Sequence, residues 1–335
     1  MLQSTAFFCT IYHSIAKIVR ECWHVWYLLP SIFLGWSLGA NDAANVFGPT
    51  VASGLIPYKP AMIFGSIFVV LGAVVGGSRC LMNVSSITTG MALDSGLAIF
   101  SAALTVTIMT LLKLPVSTSQ AVFGGIVGTN IFRFAFENVN WMPMLKFVVV
   151  WVLTPTGAAV ISFFLYKLLA IVFRRIRSVQ LQDRFITIGS WLVGFYGCYA
   201  LGANNVANVT GALVGSLLNV SQAALIGGLC IGLGMITFSK GVIMTVGKNI
   251  VALDHFSGMI AILAQAITVW IYSLVGIPVS SSQAIVGAVI GLGYAKGAKL
   301  SSRRTVVNIV LAWIATPLVA GIFSYLLSWG VNSWF

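Results

Sequence analysis

Apolar runs of about twenty residues recur along the whole 335-residue chain, and the polar residues inside them recur too. A run of that length spans the roughly 30 Å hydrocarbon layer of a bilayer as an α-helix. Ten such segments are read, near 26–45, 61–79, 95–112, 116–133 and 143–173, then near 186–208, 222–242, 256–275, 279–295 and 305–333. The fold class expected is all-α: a polytopic transmembrane bundle with interrupted helices, in which the fourth segment of each set is either a crossing or half of a re-entrant hairpin. Residues 5–19 are also apolar, and 1–25 are read as a separate N-terminal segment of interfacial character.

The polar punctuation is duplicated. Gly39-Ala-Asn41-Asp42-Ala-Ala-Asn45 returns as Gly202-Ala-Asn204-Asn205-Val-Ala-Asn208, displaced by 163 residues. Pro115-Val-Ser117-Thr118-Ser119-Gln120 returns as Pro278-Val-Ser280-Ser281-Ser282-Gln283 at the same displacement, and Trp151-Val-Leu-Thr-Pro155 returns as Trp313-Ile-Ala-Thr-Pro317 at 162. Three matches in register make the chain two copies of one unit, 26–173 and 186–335, joined by a basic linker at 174–185. Five segments per copy is an odd number, so the second copy enters the membrane inverted relative to the first.

Charge agrees with inversion. The linker carries Arg174, Arg175, Arg177 and Arg184 against Asp183, which places it in the cytoplasm. Counting from there puts Lys296, Lys299, Arg303 and Arg304 inside, whereas the equivalent first-copy loop, with Arg133 opposed by Glu137, falls outside. Both termini then face outward, in the plasma (inner) membrane. Inverted repeats with broken helices are the build of secondary transporters, whose sites lie near the bilayer midplane between the repeats.

Composition removes the alternatives. With 59% hydrophobic and 7% charged residues, a soluble domain could not solvate its exterior. The balance of 18 Lys and Arg over six Asp and Glu reflects loop charge and does not indicate a nucleic-acid partner. Five scattered cysteines form no Cys-x-x-Cys pair, and three histidines lie far apart, so neither disulfide framework nor metal cluster is indicated. No catalytic serine–histidine pairing or acidic metal cluster lies in the spans, and an enzyme is not expected.

Function therefore rests on the polar residues within the apolar runs. Asn41, Asp42 and Asn45 lie mid-segment between Gly39 and Gly48-Pro49, a composition that favours an unwound helix holding Na⁺ or H⁺. The plainer alternative is a helix-packing motif, small residues for close approach and Asn for interhelical hydrogen bonds. Pro followed by Ser-Thr-Ser or Ser-Ser-Ser reads as a helix start, whose free N–H groups and positive dipole end suit a tetrahedral oxyanion. Ser117, Thr118, Ser119, Ser280, Ser281 and Ser282 would add neutral donors; the alternative is ordinary capping. Arg79, Lys113 and Lys240 could attract an anion or simply reach the interface.

Taken together, these motifs resemble the inorganic phosphate transporter (PiT) family. Gly-Ala-Asn-Asp-Ala-Ala-Asn at 39–45 is similar to its signature, 202–208 to the second copy, the two serine segments to its second repeated motif, and 240–248 to a further family segment. The resemblance implies a symporter importing inorganic phosphate with Na⁺ or H⁺; some bacterial relatives carry sulfate. By position it implies that Asn41, Asp42, Asn204 and Asn205 handle the cation, that Ser117, Thr118, Ser280 and Ser281 contact the anion, and that Asn45 and Asn208 serve either ligand. Asn205 departs from the aspartate usual there, and Gln120 and Gln283 from a frequent histidine. The alternatives are a sulfate permease of the same family and an uncoupled anion channel. A buried Asp42 favours coupling over a purely anionic pore. The partners expected are the anion and the lipid bilayer, with a homodimer left open.

Overall fold

The computed structural model describes residues 26–43, 45–48, 50–51, 53–111, 116–249, 254–297 and 303–334, with side chains at 110–111, 241–249, 303–309 and 334 left aside. The N-terminal segment 1–25, Lys113, Pro115 and Lys299 lie outside the described residues. Every principal element is a helix. The first copy holds α1 (helical at 26–43, 45–48 and 50–51), α2 (Tyr58–Gly76), the short α3 (Ser78–Ser85), α4 (Ala92–Leu111), α5 (Thr118–Phe134) and α6 (Trp141–Arg175). The second holds α7 (Val179–Thr210), α8 (Val220–Asn249), α9 (His255–Val275), α10 (Ser281–Ala295) and α11 (Arg303–Trp334). The bounds follow the apolar segments closely, but the expected linker 174–185 is mostly helical, with only 176–178 between α6 and α7.

Seven of the described helices are long and apolar enough to cross a membrane. Their outward faces are large and apolar, as Phe64, Ile67 and Leu71 on α2 and Leu311, Ile314 and Leu318 on α11 illustrate. Polar side chains are instead turned inward: Asp42, Asn45, Ser119, Asn204, Asn205, Asn208 and Gln283 are all buried. This is an exterior built for lipid around an interior that keeps polar groups for one another.

The copies interlock by exchange. α2 packs on α7, α5 on α11, and α10 on α6, so helices of one copy find their partners in the other. Glycines set the spacing. A methyl carbon added at Gly39 would lie 1.9 Å from the Ile231 carbonyl oxygen, and one at Gly202, its repeat counterpart, 2.0 Å from Val69 O. Gly72 meets Tyr199 O at 2.0 Å as Gly234 meets Trp36 O at 2.0 Å. Gly124 meets Pro317 O at 2.2 Å as Gly287 meets Pro155 O at 2.1 Å. Each contact reappears with the copies swapped, which is the mark of a pseudo-twofold relation between two inverted repeats. α6 and α11 continue through Pro155 and Pro317, and in both the preceding threonine bonds back one turn, Thr154 to Val150 O and Thr316 to Ala312 O at 2.7 Å.

α10 is too short to cross alone, about 22 Å at ~1.5 Å per residue. It is preceded by non-helical backbone at 277–280, after α9 ends on Gly276 in the left-handed conformation (φ 82°). The far ends of α5 and α10 are tied by ion pairs whose cations, Arg133 and Lys296, are at equivalent positions. Arg133 grips the buried Asp94 of α4 with Nε and Nη2 at 2.8 Å, and not the loop acid Glu137. Lys296 binds Asp254, the N-cap of α9, at 2.5 Å. Burial raises the Asp254 carboxyl, but hydrogen bonds from Lys296 and Ser257 outweigh this and leave it below the usual carboxylate range. A lowered acid contributes stability above its unfolded pKa, lost only as pH falls through the folded value.

The glycine contacts make a paired prediction. Gly287→Ala must force Pro155 away from α10 and should lower the unfolding temperature in detergent sharply, by several degrees or more. Gly157→Ala, with no atom within 4 Å of the added carbon, should be neutral or raise stability by about 0.5–1 kcal/mol. Equal effects at the two positions would remove the packing role assigned to these crossings.

Candidate functional site

The repeated motifs converge where the helix starts of α5 and α10 meet the inward faces of α1 and α7. Ser117 and Ser280 are the N-caps of α5 and α10, each accepting the amide of the glutamine three residues on, Gln120 at 3.4 Å and Gln283 at 3.3 Å. Accepting at the cap leaves each hydroxyl its own hydrogen to donate. The next N–H groups of each helix have no intrahelical acceptor, as at any helix start. The two starts touch: Ser119 Oγ donates to Val279 O at 3.0 Å.

The signature motifs then cross to the opposite copy. Asn45 Nδ2 donates to Ser282 Oγ at 3.1 Å, and its counterpart Asn208 Nδ2 donates to Ser119 Oγ at 2.9 Å. Within each motif the same amides reach back one turn, Asn45 to Asp42 Oδ1 at 3.3 Å and Asn208 to Asn205 Oδ1 at 2.9 Å. Ser281 Oγ donates to Asp42 Oδ2 at 2.5 Å. A carboxylate of the first copy therefore sits directly on the helix start of the second.

Symmetry fails at three places. Asn204 is fully buried and works as a clasp: its Oδ1 accepts from Val279 N at 2.7 Å and its Nδ2 donates to Ile277 O at 3.1 Å. Asn41, the equivalent residue, is partly exposed and reaches only Asp42, at 3.5 Å. Opposite the Asp42–Ser281 pair stand Asn205 and Thr118, and Asn205 Nδ2 is buried without any hydrogen-bond partner.

One expectation is corrected here. The second signature segment is not unwound, since α7 runs unbroken to Thr210, and the described residues of the first, 39–43 and 45, are helical as well. Gly39 and Gly202 serve helix crossing instead, since any side chain there would strike a backbone carbonyl. The non-helical backbone lies before α10, and Asn204 supplies the donor and acceptor that a helix would have provided. Arg79 donates to Leu274 O at 2.7 Å near the end of α9.

Two residues with no role assigned from the sequence join the site. Gln120 and Gln283 are buried, and the Oε1 of each has no partner. Their repetition inside an apolar run was visible; that both side-chain oxygens would be left unsatisfied was not. Among the described residues no three His, Cys, Asp or Glu side chains cluster as a metal site. Among the described residues the arrangement offers one carboxylate, two orphaned amide oxygens, one orphaned amide N–H and two helix starts, with no Lys or Arg among its hydrogen-bonding groups. It can hold a small cation by oxygen atoms and an anion by neutral donors, side by side.

The sequence matches the profile of the Phosphate transporter family twice, over residues 38–188 and 174–324. The chain belongs to this family. It is 31% identical to the sulfate permease CysP of Bacillus subtilis, over 90% of this chain and 86% of that protein. It is 28% identical to a Pyrococcus abyssi protein provisionally named a phosphate permease, over 90% and 96% of the two chains. Among solved structures it shares the fold of a sodium-dependent phosphate transporter, with a TM-score of 0.79, 23% identity, and 92% and 98% of the two chains covered. This family member is accordingly a multi-pass membrane transport protein and not an enzyme.

The clasp gives a test of the site's construction. Asn204→Ala orphans the buried Val279 N–H and Ile277 carbonyl, at about 1–3 kcal/mol for each unsatisfied group. Its unfolding temperature in detergent should fall clearly below wild type, whereas Asn41→Ala should stay close to it. A larger loss for Asn41→Ala would mean that the two motifs are supported the other way round.

Proposed function

We propose that this protein is a symporter that brings inorganic phosphate into the cell together with Na⁺, with H⁺ as the alternative coupling ion. The observation that carries the reading is the 2.5 Å contact between Asp42 Oδ2 and Ser281 Oγ. It joins the site's carboxylate to a helix start suited to an oxyanion, so that a cation at Asp42 and an anion at Ser281 would neutralise one another in a low-dielectric interior. Each ligand then lowers the cost of bringing in the other, which is what coupling requires. Na⁺ is favoured over H⁺ because the orphaned oxygens of Gln120 and Gln283 can ligate a metal cation but are poor proton acceptors at neutral pH.

In this reading Asn41 and Asp42 form the cation side of the site, Asn204 serves it by holding the backbone at 277–279, and Asn205 stands where the cation side meets the anion. Ser117, Thr118, Ser119, Ser280, Ser281 and Ser282 present the anion side, and Asn45 and Asn208 bridge the two. Repeats 26–173 and 186–335 are related by an axis in the membrane plane. The basic linker faces the cytoplasm and both termini face out across the plasma membrane. The relatives' names support phosphate and, in one case, sulfate as cargo. Phosphate is preferred because Asp42 can accept an O–H, which phosphate carries at neutral pH and sulfate lacks. A carboxylate facing a bare sulfate oxygen costs about 1–3 kcal/mol, roughly tenfold to a hundredfold in affinity.

Purified protein in liposomes tests this directly. An inward Na⁺ gradient should drive labelled phosphate above equilibrium, and Asp42→Asn should abolish that accumulation while leaving at most slow exchange. Accumulation with unchanged cation dependence in Asp42→Asn would place the coupling site elsewhere, and equilibration without accumulation in the wild type would make the protein a channel. In the same assay excess arsenate should compete well and sulfate poorly. The reverse ranking would make sulfate the cargo.

A further inference from the structure

The two copies present different chemistry at one equivalent point. At Asp42 the first copy offers an acceptor, already paired with Ser281. At Asn205 the second copy offers a donor: Oδ1 is occupied by Asn208, and Nδ2, in a residue 1% exposed, has no partner. A buried amide N–H left unmade costs about 1–3 kcal/mol. Natural cores rarely carry that cost without a ligand or water to meet it. The group lies on the face of α7 that holds Asn204 and Asn208, both of which bond to the backbone or hydroxyls of the two helix starts. Its unpaired hydrogen is thus presented at the level where Ser119 and Val279 meet.

Given the oxyanion reading of this site, we infer that Asn205 Nδ2 donates to an unprotonated oxygen of the anion, so that the site takes a tetrahedral oxyanion in its doubly charged form. A carboxylate at 205 would do the opposite. It could accept the second O–H of dihydrogen phosphate and would repel a bare, charged oxygen. One acceptor, Asp42, and one donor, Asn205, match an anion with a single proton: monohydrogen phosphate. The ionisable side chains that the neighbouring helices bring toward this level are Asp42 on α1, the Cys80 thiol on α3, which touches Asn204 at 3.9 Å, and Arg79 on α3, whose guanidinium is turned to Leu274 O at 2.7 Å. Among residues whose side chains are described, α2, α4, α5, α8, α9 and α10 bring neutral groups here. Their charged residues Lys59, Asp94, Arg133, Lys240, Asp254 and Lys296 stand near the ends of the apolar spans or helices.

Equilibrium binding of labelled phosphate to the intact protein in detergent, at constant Na⁺, reads this out without a driving gradient. Between about pH 6 and about pH 8 wild-type affinity should rise about tenfold, following the fraction of phosphate that has lost its second proton. Asn205→Asp should flatten or reverse that rise while retaining binding near pH 6, and sulfate, doubly charged throughout, should lose its residual competition. Because Asp42 is unchanged in this variant, a rise caused by Asp42 alone would persist. Asn205→Ala, which adds no charge, should weaken phosphate about tenfold at pH 8 and little at pH 6. A wild-type affinity that is flat or falls with pH overturns the inference, as does an Asn205→Asp profile like wild type. If labelled sulfate binds in an Asn205-dependent manner and phosphate does not, the phosphate assignment falls and the doubly charged anion stands. Binding of neither overturns both.

Discussion

Close approach of backbones between the two copies is the constraint on which the remainder rests. Side chains in lipid gain little by burying apolar surface against one another, so helices there associate through packing and hydrogen bonds. Gly39, Gly72, Gly124 and their counterparts let helix axes come near enough for amide and hydroxyl side chains of only one or two carbons to reach across. Asn45 to Ser282 and Asn208 to Ser119 are bonds of that short reach. With larger residues at the crossings these groups would be stranded, and the buried polar interior would lack the partners that make it tolerable.

Within this frame, duplication builds a site and divergence specialises it. The caps, the glycine crossings and the threonine–proline turns are kept in both copies, because each copy must fold against the other by the same contacts. The chemistry-bearing positions have drifted apart: Asp42 is bonded to Ser281, whereas the equivalent positions hold Asn205, its Nδ2 unpartnered, and Thr118, and Asn204 clasps 277–279 where Asn41 clasps nothing comparable. Symmetry carries architecture and asymmetry carries charge.

Much of this is written in the sequence. Helix positions follow from apolar length, the repeat from three motifs in register, and the caps from Pro-Val-Ser followed by glutamine. Which side of the signature motif would unwind was not legible. Glycine is compatible both with broken helices and with tight crossings, and only the partner backbone at Ile231 and Val69 decides between them. Nor could sequence spacing show that Arg133 turns to Asp94 and not to the nearer Glu137. The roles of Gln120 and Gln283 were hidden for a related reason. An amide's donor and acceptor count is known from its type, but whether either goes unmet depends on neighbours brought from elsewhere in the chain.

The two ion pairs at the far ends of α5 and α10 share an equivalent cation position but have unequal shelter. Asp94 is 1% exposed and held by a two-pronged guanidinium, whereas Lys296 and Asp254 are 34% and 54% exposed and meet through one ammonium. Mobile ions screen an open pair within about 8–10 Å at physiological ionic strength and barely touch a sheltered one. Rising salt therefore loosens the anchorage of α10 while leaving that of α5 intact. Two faces built from one duplicated plan thus answer differently to the medium, and the ionic composition on the Lys296 side is able to bias which half of the molecule yields first.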